Sequence, residues 1–116
     1  MEKKCELDFQ SLQDTLDVIG SKWRFQILAS ICVGGNNRFR EIEKSIPGLT
    51  TRMLSRELKI MESLGLIVRN VYPSTPVLIE YKETELCNSL IPIFDSMLEW
   101  GEKYGANSKL QKKEDE

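Results

Sequence analysis

The sequence predicts a mainly α-helical chain with a small β-hairpin, arranged as a winged helix-turn-helix. Apolar residues recur at helical spacing along most of the 116 residues. Pro47-Gly48 places a tight turn between two short amphipathic segments. After Gly65 the pattern changes to two runs rich in β-branched and aromatic residues, joined by residues 73–76. Two turn-linked helices followed by a hairpin are the order of elements of a winged helix.

The first two helices are predicted over residues 9–19 and 22–33. Gly20 can end the first helix and Ser21 can cap the second, which closes at Gly34-Gly35. The first helix carries an apolar stripe made of Phe9, Leu12, Leu16 and Ile19. The second helix places on one face Trp23, Ile27, Leu28, Ile31 and Cys32.

The turn-linked pair is predicted over residues 39–46 and Thr50–Leu64, with Thr50 as the N-cap of the second member. The shorter helix points Phe39, Ile42 and Ile46 inward. The longer helix has an inward stripe made of Leu54, Leu58, Met61 and Leu64, and Gly65 follows as a C-cap.

The hairpin strands are predicted over 66–72 and 77–82, and a last helix over 84–105. Thr84 can cap that helix, and Pro92 should bend or interrupt it. Its apolar positions exceed what one core face needs, which is typical of an interface. We expect Leu86, Leu90 and Phe94 in the chain's own core, and an interface formed by Ile93, Met97, Trp100 and Tyr104.

Composition excludes several classes of protein. The chain has no histidine, and its cysteines at 5, 32 and 87 show no CxxC spacing, so we expect no metal site. It has no glycine-rich phosphate loop and no paired carboxylates in a cleft, so we expect neither an enzyme nor a cofactor. The first ten residues are polar and acidic, without the apolar run of a signal peptide, and no apolar run reaches membrane-spanning length, so we expect a cytoplasmic protein.

The charge is segregated along the chain, although the net value is only -2. Residues 20–82 carry ten basic and five acidic residues. Residues 1–19 carry two basic and five acidic residues, and residues 83–116 carry four and eight. A basic middle between acidic ends indicates a polyanionic partner, and chance scatter in a short chain is the alternative.

The helix over Thr50–Leu64 concentrates that basic charge on one side. Arg52, Arg56 and Lys59 recur at i, i+4 and i+7, with Thr51 and Ser55 beside them. Arginine can bond bidentately to guanine, and hydroxyls can bond bases or phosphates. The alternative is a solvated basic face on which Glu57 and Glu62 complete surface pairs. We predict a DNA-binding set made of Thr50, Thr51, Arg52, Ser55, Arg56 and Lys59, with backbone or phosphate contacts from Lys22, Arg38, Arg69, Ser74 and Thr75.

The motifs resemble one bacterial family. The matching segments are LDVIGSKW at 16–23, RFREIEKSIPGLTTRMLSRELKIMESLGLI at 38–67, NVYPSTPVLIEYKET at 70–84 and LIPIFDSMLEWGEKYG at 90–105. In these segments the chain resembles the HxlR-type winged helix-turn-helix transcriptional regulators. The resemblance implies a MarR-like fold that binds operator DNA as a homodimer, with a recognition helix over Thr50–Leu64 and a wing over Leu66–Lys82.

The resemblance also implies that the helices within 1–19 and 84–105 form the dimer interface. The length predicts one domain over 1–116, and the low-complexity composition predicts a disordered tail at 106–116. The predicted interface residues are Phe9, Leu12, Leu16, Ile93, Met97, Trp100 and Tyr104. A two-fold dimer would present its recognition helices about 34 Å apart, to a pseudo-palindromic site.

Some members of the family carry an oxidant-sensing cysteine shortly before the GKW-like motif. Cys5 is the nearest candidate here, but it lies eighteen residues before Trp23 and its acidic neighbours disfavour the thiolate. A small-molecule or redox effector therefore stays unidentified. The alternative function is a protein-interaction winged helix without specific DNA binding, whose basic helix docks on an acidic partner.

Overall fold

The computed structural model describes residues 7–106 and consists there of six α-helices, one antiparallel hairpin and a π-helical segment. The first four helices precede the hairpin, as the sequence predicts. The bounds are α1 Phe9–Ile19, α2 Lys22–Cys32, α3 Phe39–Ser45, α4 Thr51–Ser63, β1 Ile67–Tyr72, β2 Leu78–Glu83, α5 Glu85–Asn88 and α6 Ile91–Trp100, with the π-helical segment at Gly101–Gly105.

Polar side chains cap the start of α1, α2, α4 and α5, because the first backbone N–H groups of a helix have no partner within it. The Asp8 carboxylate accepts from the amides of Gln10 and Ser11, and its bonds to Ser11 hold its pKa below the usual value. The predicted caps of α2, α4 and α5 are confirmed: they are Ser21, Thr50 and Thr84.

The core lies where α2, α3, α4 and β1 meet, and α6 packs across it. α4 packs against α2 and β1, and β1 pairs with β2 from Ile67 opposite Glu83 to Tyr72 opposite Leu78. The Tyr81 amide donates to the Asn37 carbonyl at 2.8 Å, which joins the hairpin to the α2–α3 loop. The fully buried side chains are Ile27, Leu28, Ile42, Leu54, Met61, Leu66, Ile67, Cys87 and Phe94.

Three predictions about the second half of the chain need correction. The last helix is not one helix over 84–105 but is divided into α5 and α6. The predicted interruption at Pro92 is confirmed, because Pro92 lacks an N–H and is placed in the first turn of α6. Leu86 is 53 % exposed rather than in the core, since Cys87 occupies the buried side of the one-turn helix α5. Leu64 is 38 % exposed rather than part of the inward stripe, since it is the C-cap of α4 and lies beyond its last helical residue.

Gly65 follows α4 with a φ of +80°, a conformation that only glycine adopts without strain. Nothing lies within 4 Å of a Cβ built there, so Gly65→Ala should cost backbone strain alone, about 1–2 kcal/mol of unfolding free energy in urea. Gly101→Ala is the matched control, because that residue is helical and equally uncrowded. Equal stability of the two variants would contradict this explanation.

Candidate nucleic-acid interface

The basic side of α4 faces away from the core. Its buried side consists of Leu54, Glu57, Leu58 and Met61, against α2 and β1. At 100° per residue, Arg52, Arg56 and Lys59 fall opposite that side, and all three are exposed. The structure therefore places the three predicted cations together on an outward surface.

The first turn of α4 has two threonines whose hydroxyls already have partners. Thr50 Oγ1 accepts from the Met53 amide at 3.1 Å, and Thr51 Oγ1 donates to Glu43 Oε2 at 2.6 Å. Because Glu43 belongs to α3, the second bond stabilises the α3–α4 turn. Both residues are exposed. Their contact with DNA stays a prediction: they would bind through their backbone amides or through the hydrogen bonds that their hydroxyls can still form.

A polar crevice of about 280 Å³ separates α4 from the hairpin. Ser55, Lys59 and Glu62 line its α4 side, and Arg69 and Tyr81 line its hairpin side. Arg69 and Tyr81 are cross-strand partners, which places both side chains on the face that meets α4. The crevice thus brings together three residues of the predicted DNA-binding set, which are Ser55, Lys59 and Arg69. The Glu62 carboxylate lines it beside them.

The other predicted contacts lie on separate elements and do not line this crevice. Lys22 begins α2, with Nζ 4.8 Å from the centroid of the Trp23 ring, and Arg38 immediately precedes α3. Ser74 and Thr75 are exposed at the hairpin tip, where Ser74 Oγ donates to the Pro76 carbonyl at 2.6 Å.

Sequence reasoning missed one polar pair. Glu57, taken for a surface residue, is buried, and Arg24 Nε donates to its Oε1 at 2.8 Å. The signal was present, because Glu57 is three residues after Leu54 and four before Met61, on the apolar side of α4.

The two thiols that the structure describes, those of Cys32 and Cys87, are poorly suited to react as nucleophiles or with oxidants. Cys32 Sγ donates to Asn88 Oδ1 at 3.1 Å, and burial raises the pKa of Cys32. Burial, helped by the neighbouring Cys32 thiol, raises the pKa of Cys87 to about 12. Both thiols are therefore protonated at neutral pH, whereas the reactive form is the thiolate. Cys5 lies outside the described residues.

Two apolar surfaces have no partner among residues 7–106. α1 buries none of its residues, and Phe9, Leu12 and Leu16 are 71 %, 51 % and 56 % exposed. α6 and the segment after it expose Ile93, Met97, Trp100 and Tyr104, with the last two rings 5.6 Å apart. Next to Met97, α2, α3 and α6 border an apolar groove of about 540 Å³.

Other site types find no support in residues 7–106. No three His, Cys, Asp or Glu residues are grouped there in a way that could hold a metal ion. No helix in that range has the length and apolarity to cross a membrane.

The arrangement of turn-linked helices, outward cations and adjoining hairpin agrees with a comparison with known families, in which residues 18–109 match the model of the HxlR-like helix-turn-helix. The chain belongs to the HxlR-like family. It is a transcriptional regulator with a helix-turn-helix DNA-binding domain, not an enzyme.

Individual relatives agree with the family assignment. A helix-turn-helix regulator of Methanothermobacter thermautotrophicus is 43 % identical over 99 residues, covering 85 % of this chain and 75 % of the relative. The redox regulator HypR in its reduced form superposes with a TM-score of 0.76 at 38 % identity, covering 85 % of this chain and 97 % of HypR. A MarR-family regulator from Porphyromonas gingivalis superposes with a TM-score of 0.71 at 29 % identity, covering 85 % and 96 %. These likenesses support the winged-helix, MarR-like fold of this HxlR-like chain.

Proposed function

We propose that this HxlR-like regulator binds a pseudo-palindromic operator as a homodimer, with α4 of each copy in the major groove and the hairpin on the backbone or in the minor groove. The observation that carries the proposal is the outward side of α4, where Arg52, Arg56 and Lys59 are all exposed. A helix that packs against the core on one side and exposes arginines on the other can form hydrogen bonds from its guanidinium groups to the edges of DNA bases.

The proposed contacts divide by chemistry. Arg52 and Arg56 read bases, because they lie opposite the buried side of α4 and guanidinium matches the O6 and N7 of guanine. Lys59, Ser55 and Arg69 bind a phosphate along the crevice, where cations from α4 and the hairpin meet. Further backbone contacts come from Thr50, Thr51, Lys22, Arg38, Ser74 and Thr75.

The proposed dimer buries the apolar surfaces that the single chain leaves exposed. The α1 stripe of Phe9, Leu12 and Leu16 is one such surface, and the residues Ile93, Met97, Trp100 and Tyr104 on and after α6 are the other. Large exposed apolar surfaces are unusual on a monomer and mark interaction sites. The groove beside Met97 extends the second of these surfaces. Residues 1–19 and 84–105 thus serve dimerisation; only Ala106 of the predicted tail at 106–116 is described.

For regulation, the likeness to HypR, a redox regulator, supports an oxidant as the class of effector. Cys32 and Cys87 do not support it as reacting groups, since burial raises the pKa of both.

The proposal is tested with the full chain and duplexes enriched from a random-sequence library. We expect saturable binding of an enriched duplex at moderate salt, with a two-fold symmetric consensus and with affinity that falls as salt rises. Specific sites are typically bound about 10³- to 10⁷-fold more tightly than unrelated DNA. Failure to enrich any sequence would overturn the proposal, and protein capture that persists after nuclease treatment would favour an interaction module.

A further inference from the structure

A buried ion pair connects the DNA-facing helix to α2. Arg24 Nε donates to Glu57 Oε1 at 2.8 Å, and the two side chains are only 12 % and 8 % exposed. The second carboxylate oxygen of Glu57 accepts from Ser21 Oγ at 3.2 Å. Glu57 lies at the edge of the buried side of α4, so this pair fixes α4 against the start of α2.

The same guanidinium also holds the end of α1. Arg24 Nη1 donates to the backbone carbonyls of Asp17 and Val18, each at 3.1 Å. Both carbonyls lie in the last turn of α1, where helix carbonyls lack partners within the helix and the dipole favours a cation. One planar group therefore bonds α1 and α4 at once.

Across the described residues, little besides these bonds and the packing of Val18 against the core holds α1. It buries no residue, and its contacts with every other helix and strand are slight. Within residues 7–106, the only side-chain hydrogen bonds that join α1 to the elements after it are the two from Arg24. The orientation of α1 relative to α4 is thus set mainly where Asp17, Val18, Arg24 and Glu57 meet.

We propose that Arg24 is a positioning residue that couples the orientation of α1 to that of α4, so that association of two copies through α1 sets how the two DNA-facing helices are presented. This inference rests on the proposed function. The fixed fork of the guanidinium suits the role, because its donors cannot turn independently. Rotation away from Glu57 would also leave a buried carboxylate without its charged partner, which opposes loosening.

The main test compares two variants in the full chain. R24M/E57M removes the bonds to α1 together with both buried charges, and apolar replacement of a whole ion pair is often neutral or stabilising. E57Q removes one charge but keeps an oxygen for Arg24 Nε and leaves the bonds to Asp17 and Val18. Each variant is measured by urea unfolding, by sedimentation for its dimer constant, and by anisotropy on a duplex enriched by the wild-type protein.

We expect the two variants to separate stability from DNA recognition. R24M/E57M should unfold no more easily than E57Q, yet bind the enriched duplex about 5- to 150-fold more weakly than wild type, the usual range of coupling between sites. Its affinity for an unrelated duplex should not change. E57Q should be less stable but keep the wild-type affinity for the enriched duplex. If Arg24 had a purely structural role, affinity would follow stability. E57Q, the less stable variant, would then bind the enriched duplex more weakly than R24M/E57M.

R24K keeps the inference testable if R24M/E57M does not fold. A single ammonium can pair with Glu57 but cannot also reproduce the fork that reaches α1, so the affinity for the enriched duplex should again fall. Wild-type affinity in a folded R24M/E57M or R24K protein would overturn the coupling and leave the proposed function intact. Failure of the wild type to enrich any duplex would overturn both.

Discussion

Arg52→Ala and Arg56→Ala should each weaken operator binding by about 2–6 kcal/mol, because a base contact contributes about 1–3 kcal/mol and a dimer loses it in both half-sites. Both side chains are exposed and lie opposite the buried side of α4, so neither substitution removes a core contact. The unfolding free energy should therefore change by no more than about 0.5 kcal/mol.

The measurement is an anisotropy titration on the enriched operator, on operators with single base changes, and over a range of salt concentrations. Loss of a base contact should relax discrimination at one position of each half-site. Arg69→Ala provides the contrast, since a lost phosphate contact weakens all duplexes alike and lowers the salt slope by about 1 per half-site. Lys44→Ala, an exposed cation on α3 outside both the predicted DNA-binding set and the proposed dimer interface, controls for net charge. Unchanged affinity in both Arg52→Ala and Arg56→Ala would show that the reading surface lies elsewhere.

The outward side of α4 could be predicted because it depends on local chemistry alone. A polar cap at Thr50 and apolar residues at Leu54, Leu58 and Met61 determine where the helix begins and which side is buried. The direction of Arg52 and Arg56 then follows from the helical period. The apolar stripe of α1 was predictable on the same grounds, whereas its exposure is seen only in the structure.

What could not be predicted depends on contacts between distant residues. Burial of Glu57 becomes favourable only because Arg24, thirty-three residues earlier, supplies its counter-charge. The crevice likewise depends on α4 and the hairpin lying side by side, so that Lys59 and Arg69 line the same space, which no one-dimensional pattern contains. Leu86 illustrates the reverse case, since the division of the last helix near Pro92 left its predicted core position exposed.

L12D/L16D should dissociate the proposed dimer. Both leucines are about half exposed in the single chain, so about half of each side chain is available for burial by a partner. Full burial of a leucine contributes about 1.5–3 kcal/mol, and four such half-burials in a dimer amount to about 3–6 kcal/mol before the cost of burying aspartate. The dimer dissociation constant should therefore rise about 10²- to 10⁴-fold.

Sedimentation across a range of concentrations measures this change, with Q10E/Q13E as the control. That variant adds the same two charges to α1 outside the leucine stripe, at two exposed positions. It also removes the bonds that Gln10 and Gln13 donate to the carboxylates of Asp14 and Asp17, which weakens α1 slightly but leaves the apolar stripe intact. It should stay dimeric. An L12D/L16D protein with the wild-type dimer constant would contradict the assignment of α1 to the interface.

DNA binding by the monomeric variant distinguishes the role of α1 in dimerisation from the role of α4 in base recognition. A single chain keeps Arg52 and Arg56 but contacts only one half-site, so it neutralises about half as many phosphates as the dimer. Because the slope of log K against log salt is proportional to that number, L12D/L16D should show about half of the wild-type slope. Arg52→Ala, in contrast, should stay dimeric and keep most of the slope while it loses base discrimination. If both variants lost affinity with the same salt slope and the same oligomeric state, α1 and α4 would not have the separate roles proposed here.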